Sequence, residues 1–166
     1  MLGLALVSRP AFAHPGHGLV TLMAGLTHPL SGLDHLLTAL AVGIWAVRSK
    51  DGVKLSVPAA FIAAMILGAL AGQAGFAFRF YEQGILLSLI CIGAFLVLGI
   101  APGRRSGALA VACFGLMHGN AHGVEVDAVG LSAGALCGLI FSTAMLHSLG
   151  IGCALGFRVL KGCRKA

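Results

Sequence analysis

His28-Pro29-Leu30-Ser31-Gly32-Leu33-Asp34-His35 lies inside an apolar run from Leu19 to Val47. Two imidazoles, a carboxylate, a proline and a glycine are each costly in hydrocarbon. One ionisable side chain near a bilayer centre costs ~3 kcal/mol or more, so a group of them belongs in a bundle interior or along an ion path. Pro29 removes a backbone hydrogen bond and presses on the carbonyl of Gly25, and Gly32 loosens the next turn. The stretch therefore predicts a first membrane helix broken at a Pro/Gly motif. In an unbroken helix His28 and His35 would be separated by seven rises of ~1.5 Å, roughly 10 Å. Metal–imidazole bonds of ~2 Å cannot span that on one ion. A break brings His28 towards Asp34 and His35 and opens backbone carbonyls to a cavity, as discontinuous helices do at ion sites.

A second polar cluster, His118-Gly119-Asn120-Ala121-His122-Gly123-Val124-Glu125, closes another apolar run. His118 and His122 at i, i+4 fall on one helical face at chelating distance, and Glu125 joins that face if the helix continues past Gly119 and Gly123. Either cluster alone also reads as interhelical hydrogen bonding; the two together point to a metal path. Imidazole with carboxylate suits Ni, Zn, Co, Cu(II) or Fe and disfavours Mg and Ca. Cys91, Cys113, Cys137, Cys153 and Cys163 form no CxxC, and those inside apolar runs read as small hydrophobes, with neither a disulfide framework nor a thiolate site expected. His147 is a lone histidine in an apolar helix; it reads first as a packing or hydrogen-bonding residue, and otherwise as a lining of the inner exit. His14 and His17 near the start either capture an ion with a free amine or form a solvated end.

The surrounding chain is a membrane scaffold. Of its 166 residues 58% are hydrophobic and 10% charged, and the mean hydropathy is +1.00; a soluble domain carries roughly 25% charged residues. Five long apolar segments, Leu19–Val47, Val53–Gly72, Gln83–Ile100, Ser106–Gly119 and Ala128–Leu160, are expected as transmembrane helices (six apolar segments with the leader). The fold expected is an all-α, polytopic bundle of about five spans. The last segment is long enough to conceal a re-entrant turn around Gly150 and Gly152. Residues 1–13 read as a cleaved signal peptide ending Ala11-Phe12-Ala13, with 14–166 as one transmembrane domain. With the mature N-terminus outside, Arg48, Lys50, Lys54, Arg104, Arg105, Arg158, Lys161, Arg164 and Lys165 fall inside, and the outer loops hold Arg79 with Glu82, Glu125 and Asp127. That asymmetry places the C-terminus in the cytoplasm and accounts for the basic excess without a nucleic-acid partner. Trp45 suits an interfacial anchor. Gly68/Gly72, Gly115/Gly119/Gly123, Gly130/Gly134/Gly138 and Gly152/Gly156 are small-xxx-small series that let helix backbones approach.

The two histidine motifs, the start His14-Pro15-Gly16 and the segment Thr143-x-x-Leu146-His147-x-x-Gly150, together resemble the HupE/UreJ family of membrane permeases. The resemblance runs through essentially the whole chain. It implies secondary transport of Ni²⁺, in some relatives Co²⁺, across the bacterial inner membrane to supply hydrogenase or urease, and it marks His28, Asp34, His35, His118, His122 and Glu125 as functional. Met117 and Ser142 depart from its common Phe and Ala, and neither change removes a candidate ligand.

The reading favoured is a secondary transition-metal permease. Its candidate ion residues are His28, Asp34, His35, His118, His122, Glu125, His14, His17 and His147. No prosthetic group is expected and no enzymatic activity; the partners are the lipid bilayer and a divalent metal, Ni²⁺ before Co²⁺, Zn²⁺ or Cu²⁺. A homo-oligomer is left open. The chain carries no Walker motif, so the membrane potential is the expected energy source. Two rivals stand beside this reading: a membrane-embedded metal sensor or chaperone, and a b-type haem protein held by two histidines.

Overall fold

The computed structural model describes residues 21–48, 53–103, 105–124 and 131–163. The expected leader, His14, His17, Glu125 and Asp127 lie outside the described residues. Among these residues the chain is all helical: α1 (Leu22–Ser31), α2 (Leu33–Ala46), α3 (Ser56–Gln73), α4 (Tyr81–Val97), α5 (Ser106–Val124) and α6 (Ala133–Cys163). Each apolar run becomes a helix, the first as two.

The first run breaks as expected, with α1 and α2 bent by 86°, but the break falls at Gly32 rather than Pro29. Pro29 is buried within α1, whereas Gly32 is extended, at φ −108° and ψ 121°. Ser31 Oγ donates to the His28 carbonyl at 2.6 Å, giving the last turn of α1 a side-chain partner. At the other end Thr21 Oγ1 accepts from the Ala24 N–H at 3.1 Å, an N-cap. Helices α3 and α4 end on glycines in the left-handed region, Gly75 at φ 89° and Gly99 at φ 71°. There the Phe76 N–H returns to Ala71 O and the Ile100 N–H to Phe95 O, the wrap that a glycine past a helix end permits.

Helices α3 and α6 are long and apolar enough to cross a membrane, and the bent α1–α2 pair makes a third span if taken as one. Helix α4 is apolar but has only 17 residues, and α5 ends in its polar histidine turns. By length and hydropathy, then, two or three spans pass among the described residues where five were expected. Leu67, Leu70, Leu86, Ile90, Leu109, Phe141 and Leu149 are all exposed, an apolar outer surface suited to hydrocarbon. Helix α6 runs unbroken from Ala133 to Cys163; the re-entrant turn considered near Gly150 and Gly152 is absent, because Gly150 serves packing instead.

Glycines set how closely the helices meet. A Cβ on Gly115, Gly119 or Gly123 of α5 would reach Phe61 O, Met65 O or Ala69 O of α3 at 2.3, 1.9 and 2.1 Å. On the other side of the bundle, a Cβ on Gly43 of α2 would reach His147 O of α6 at 2.1 Å, and one on Gly150 would reach Leu40 O at 2.3 Å. Gly152 and Gly156 have nothing within 4 Å, so that expected pair makes no internal seam. Trp45 is likewise not an interfacial anchor. It is 3% exposed, stacks on Phe95 at 5.2 Å and donates to Ile100 O at 2.7 Å, tying the end of α2 to the end of α4. The apolar core beneath it joins Val42, Val57, Phe61, Met65, Ile92 and Val111.

Candidate metal centre

The bend at Gly32 lays the last turn of α1 and the first turn of α2 against the last turns of α5. His28 comes from α1, His35 from α2, and His118 and His122 from α5. Their rings converge: His28 and His122 centroids are 4.7 Å apart, His35 and His118 5.0 Å, His35 and His122 5.1 Å, and His28 and His35 6.1 Å. An imidazole bound through one nitrogen at ~2 Å holds its centroid roughly 3 Å from the ion, so two such rings at 90–110° stand roughly 4.5–5.2 Å apart. The observed spacings are of that size. Among the described residues, however, no three His, Cys, Asp or Glu side chains are placed to hold one ion together. The rings pack mostly edge to face, and gathering one ion requires them to turn.

Hydrogen bonds fix which nitrogen faces this cluster's chemistry. Asp34 Oδ1 accepts from the His35 backbone N–H at 2.8 Å and lies 3.0 Å from His35 Nδ1. The carboxylate accepts only, so the His35 proton belongs on Nδ1 and the lone pair on Nε2. His118 Nδ1 is 2.9 Å from Phe114 O, and a carbonyl makes the same assignment. His35 Nε2 and His118 Nε2 are both buried with no hydrogen-bond partner among the described residues. Two lone pairs are thus set towards the interior without a hydrogen-bond partner among the described residues, and borderline Lewis bases such as neutral imidazole nitrogens suit divalent transition metals. His118 and His122 are each 2% exposed. Beside the rings is a cavity of about 10 Å³ lined by Pro29, His35, Phe61, Met65, His118 and Thr143, among others, close to the space of a single water.

Gly32 belongs to this site. Its extended backbone suits any residue, but a Cβ there would stand 2.8 Å from Asp34 Oδ1 and 3.3 Å from His35 Nδ1. A side chain at 32 would push into the pair that orients His35.

Of the residues expected from sequence, the structure gathers His28, His35, His118 and His122, and sets Asp34 on His35. His147 stands apart. Its Nδ1 is 2.7 Å from Ala39 O, its Nε2 is buried without a hydrogen-bond partner among the described residues, and Phe61 separates it from the cluster. The Phe61 ring is 5.2 Å from His118 and 5.3 Å from His147. Phe61 carried no signal in the sequence, being one aromatic in an apolar helix. Asn120 was also missed as an individual. Fully buried, it accepts from the Phe78 N–H at 2.7 Å and donates to Phe76 O at 2.7 Å, fastening the α3–α4 loop to the histidine helix. Its cue was a buried amide between two histidines. Thr143, given no role from sequence, lines the cavity with its hydroxyl 3.8 Å from Met65 Sδ.

A helical membrane protein with a histidine cluster between its broken first helix and α5 is the class that fold and site define. The profile of the family described as HupE / UreJ protein matches residues 2–164, and the chain belongs to that family. It is also similar to a protein described as Protein HupE from Rhizobium leguminosarum bv. viciae, 35% identical over 153 residues that cover 91% of this chain and 80% of that one. The family resemblance drawn from the two histidine motifs is therefore correct. No solved structure matches the chain.

Proposed function

We propose that this protein is a secondary permease that carries a divalent transition metal, Ni²⁺ first and Co²⁺ next, across the bacterial inner membrane into the cytoplasm. The observation that carries the reading is the convergence of four imidazoles from α1, α2 and α5, three of which (His35, His118 and His122) line a cavity of about 10 Å³, with two buried Nε2 atoms lacking hydrogen-bond partners among the described residues. Here His28, His35, His118 and His122 pass the ion between them, and Asp34 orients His35 and offsets part of the cation's charge. His14, His17 and Glu125 gather the ion outside, and His147 receives it beyond Phe61. A cage that engaged every ligand at once would hold the ion too tightly to release it. No step requires catalysis by the chain. A haem between these histidines is disfavoured by size, since a porphyrin does not fit a cavity of about 10 Å³ beside rings already in edge contact.

The test is time-resolved metal entry into proteoliposomes held at an inside-negative potential, with Ni²⁺, Co²⁺, Zn²⁺ and Cu²⁺ offered separately. Wild type is expected to admit Ni²⁺, with entry growing with the potential, and His35→Ala and His118→Ala to lose it. Binding without entry would overturn the permease and leave the sensor or chaperone.

A further inference from the structure

The wall of the histidine cavity holds a donor that the ion path described above does not use. Among the described residues lining it, Met65 alone carries sulfur. Met65 is buried and lies on α3, one turn from Phe61. Two neighbours fix its place. A Cβ on Gly119 would reach Met65 O at 1.9 Å, so the α3 turn that carries Met65 lies against the α5 turn that carries His118 and His122. From α6 the buried Thr143 hydroxyl donates to Met65 Sδ at 3.8 Å, and Met65 and Thr143 both line the cavity. The other described methionines are placed differently. Met117, beside His118 in sequence, turns to α4, where a Cβ on Gly84 would reach its Cγ at 2.7 Å; Met23 and Met145 are exposed. Cys113, Cys137, Cys153 and Cys163 are exposed as well, and Cys91 is partly so.

A thioether is neutral, polarisable and always ready to bind, since no proton has to leave it first. The Thr143 hydroxyl takes one lone pair of the sulfur and orients an otherwise freely turning side chain, which leaves the second lone pair for an ion. Thioether donors favour the softer transition metals, whereas oxygen donors suit Mg, Ca and Mn. A leucine would fill the same volume and offer no donor. This chain instead sets a polarisable atom around one small cavity with His35, His118 and His122. Being uncharged, the sulfur sharpens the choice of ion without adding a charge that would hinder release.

We infer that Met65 Sδ is a specificity-determining donor of this site, joining His35 and His118 on the ion and weighting the path towards Ni²⁺ and copper over Co²⁺. The inference rests on the metal-permease reading and adds to it a ligand outside both histidine motifs. The full chain, labelled with selenomethionine and purified in a neutral detergent, is to be loaded with Ni²⁺ and measured by X-ray absorption at the nickel edge. Selenium marks thioethers apart from the five cysteines. Wild type is expected to show a selenium neighbour on nickel beside the nitrogens, lost in Met65→Leu and kept in Met117→Leu. In unlabelled protein, Met65→Leu is a swap that cores tolerate; it should lower Ni²⁺ affinity about ten-fold and Co²⁺ affinity less. Should Met65→Leu fail to fold, the selenium signal of wild type and Met117→Leu still decides. Nickel bound by nitrogen without a selenium neighbour would overturn the thioether ligand and leave the permease reading standing. An equal loss for both metals would overturn the role in specificity. A wild type that binds neither metal would overturn both readings together.

Discussion

At the scale of single residues, the site depends on where protons sit. Asp34 holds the Nδ1 proton of His35 and leaves Nε2 as a lone pair. A carboxylate or carbonyl behind a ligating histidine typically strengthens metal binding ~10–100-fold. Asp34→Ala should therefore weaken Ni²⁺ binding by about that factor, measured by titration in detergent. Asp34→Asn keeps an acceptor oxygen but not the charge, so it should fall between the two. Equal affinities for wild type and Asp34→Ala would mean that the pair orients no ligand. Asn120 supports the site from behind: its amide satisfies Phe78 N–H and Phe76 O, and Gly68 O at 3.4 Å. Each buried backbone group left unpaired costs roughly 1–3 kcal/mol. Asn120→Ala should lower unfolding stability by about 2–4 kcal/mol, and Asn120→Asp, which keeps only the acceptor, should lie nearer to Ala than to wild type. That role was illegible in sequence, since Asn120's partners lie 42 and 44 residues away.

At the scale of elements, glycine chemistry separates the site from the scaffold. Gly32→Ala leaves an allowed backbone at the bend, so the fold should survive while the new methyl displaces Asp34 and His35 and weakens metal binding. Gly119→Ala acts differently, because its Cβ would lie 1.9 Å from Met65 O and force α3 and α5 apart. It should lose several kcal/mol of stability, as overpacked backbone contacts do, and carry His118 and His122 away from α1 and α2. Gly152→Ala meets nothing within 4 Å and should stabilise α6 by ~0.5–1 kcal/mol through helix propensity. Thermal unfolding beside Ni²⁺ titration of the three variants separates these outcomes. A Gly32→Ala variant that binds normally would remove the glycine from the site. The series at Gly115, Gly119 and Gly123 was readable because all its members lie on one helix. Gly25, Gly43 and Gly150 were not, since each packs against a backbone distant in sequence: Ala135 O at 2.0 Å for Gly25, and His147 O and Leu40 O for the others. The same limit explains Trp45, whose partner Ile100 lies 55 residues on.

At the scale of the whole molecule, the two histidine motifs, the broken first helix and the helical class were legible because polar groups in apolar runs have few affordable places. Which end faces the cytoplasm is carried by charge. Arg48 reaches the end of α4, Lys54 N–H bonds to the end of α2 at Ala46 O, Arg105 precedes α5, and Arg158 reaches Val47 O; these gather at one end of the bundle. Arg79 sits in the α3–α4 loop that Asn120 fastens to the histidine end of α5. From Ser106 to Asn120, α5 rises roughly 21 Å, so Arg79 and Arg105 mark opposite ends of the molecule, and both are exposed. In the proposed orientation, which the positive-inside rule supports, the Arg48–Arg105–Arg158 end would face the cytoplasm. In a background without the five native cysteines, Arg79→Cys should react with a membrane-impermeant maleimide in intact cells, and Arg105→Cys only after permeabilisation. That result sets the histidine cluster in the outer half, where an inside-negative potential draws a divalent cation past it and inward, with ~4.6 kcal/mol per 100 mV for the two charges. The reverse labelling would put the cluster on the inner side, so that an entering ion met His147 first and the proposed order of transfer ran backwards.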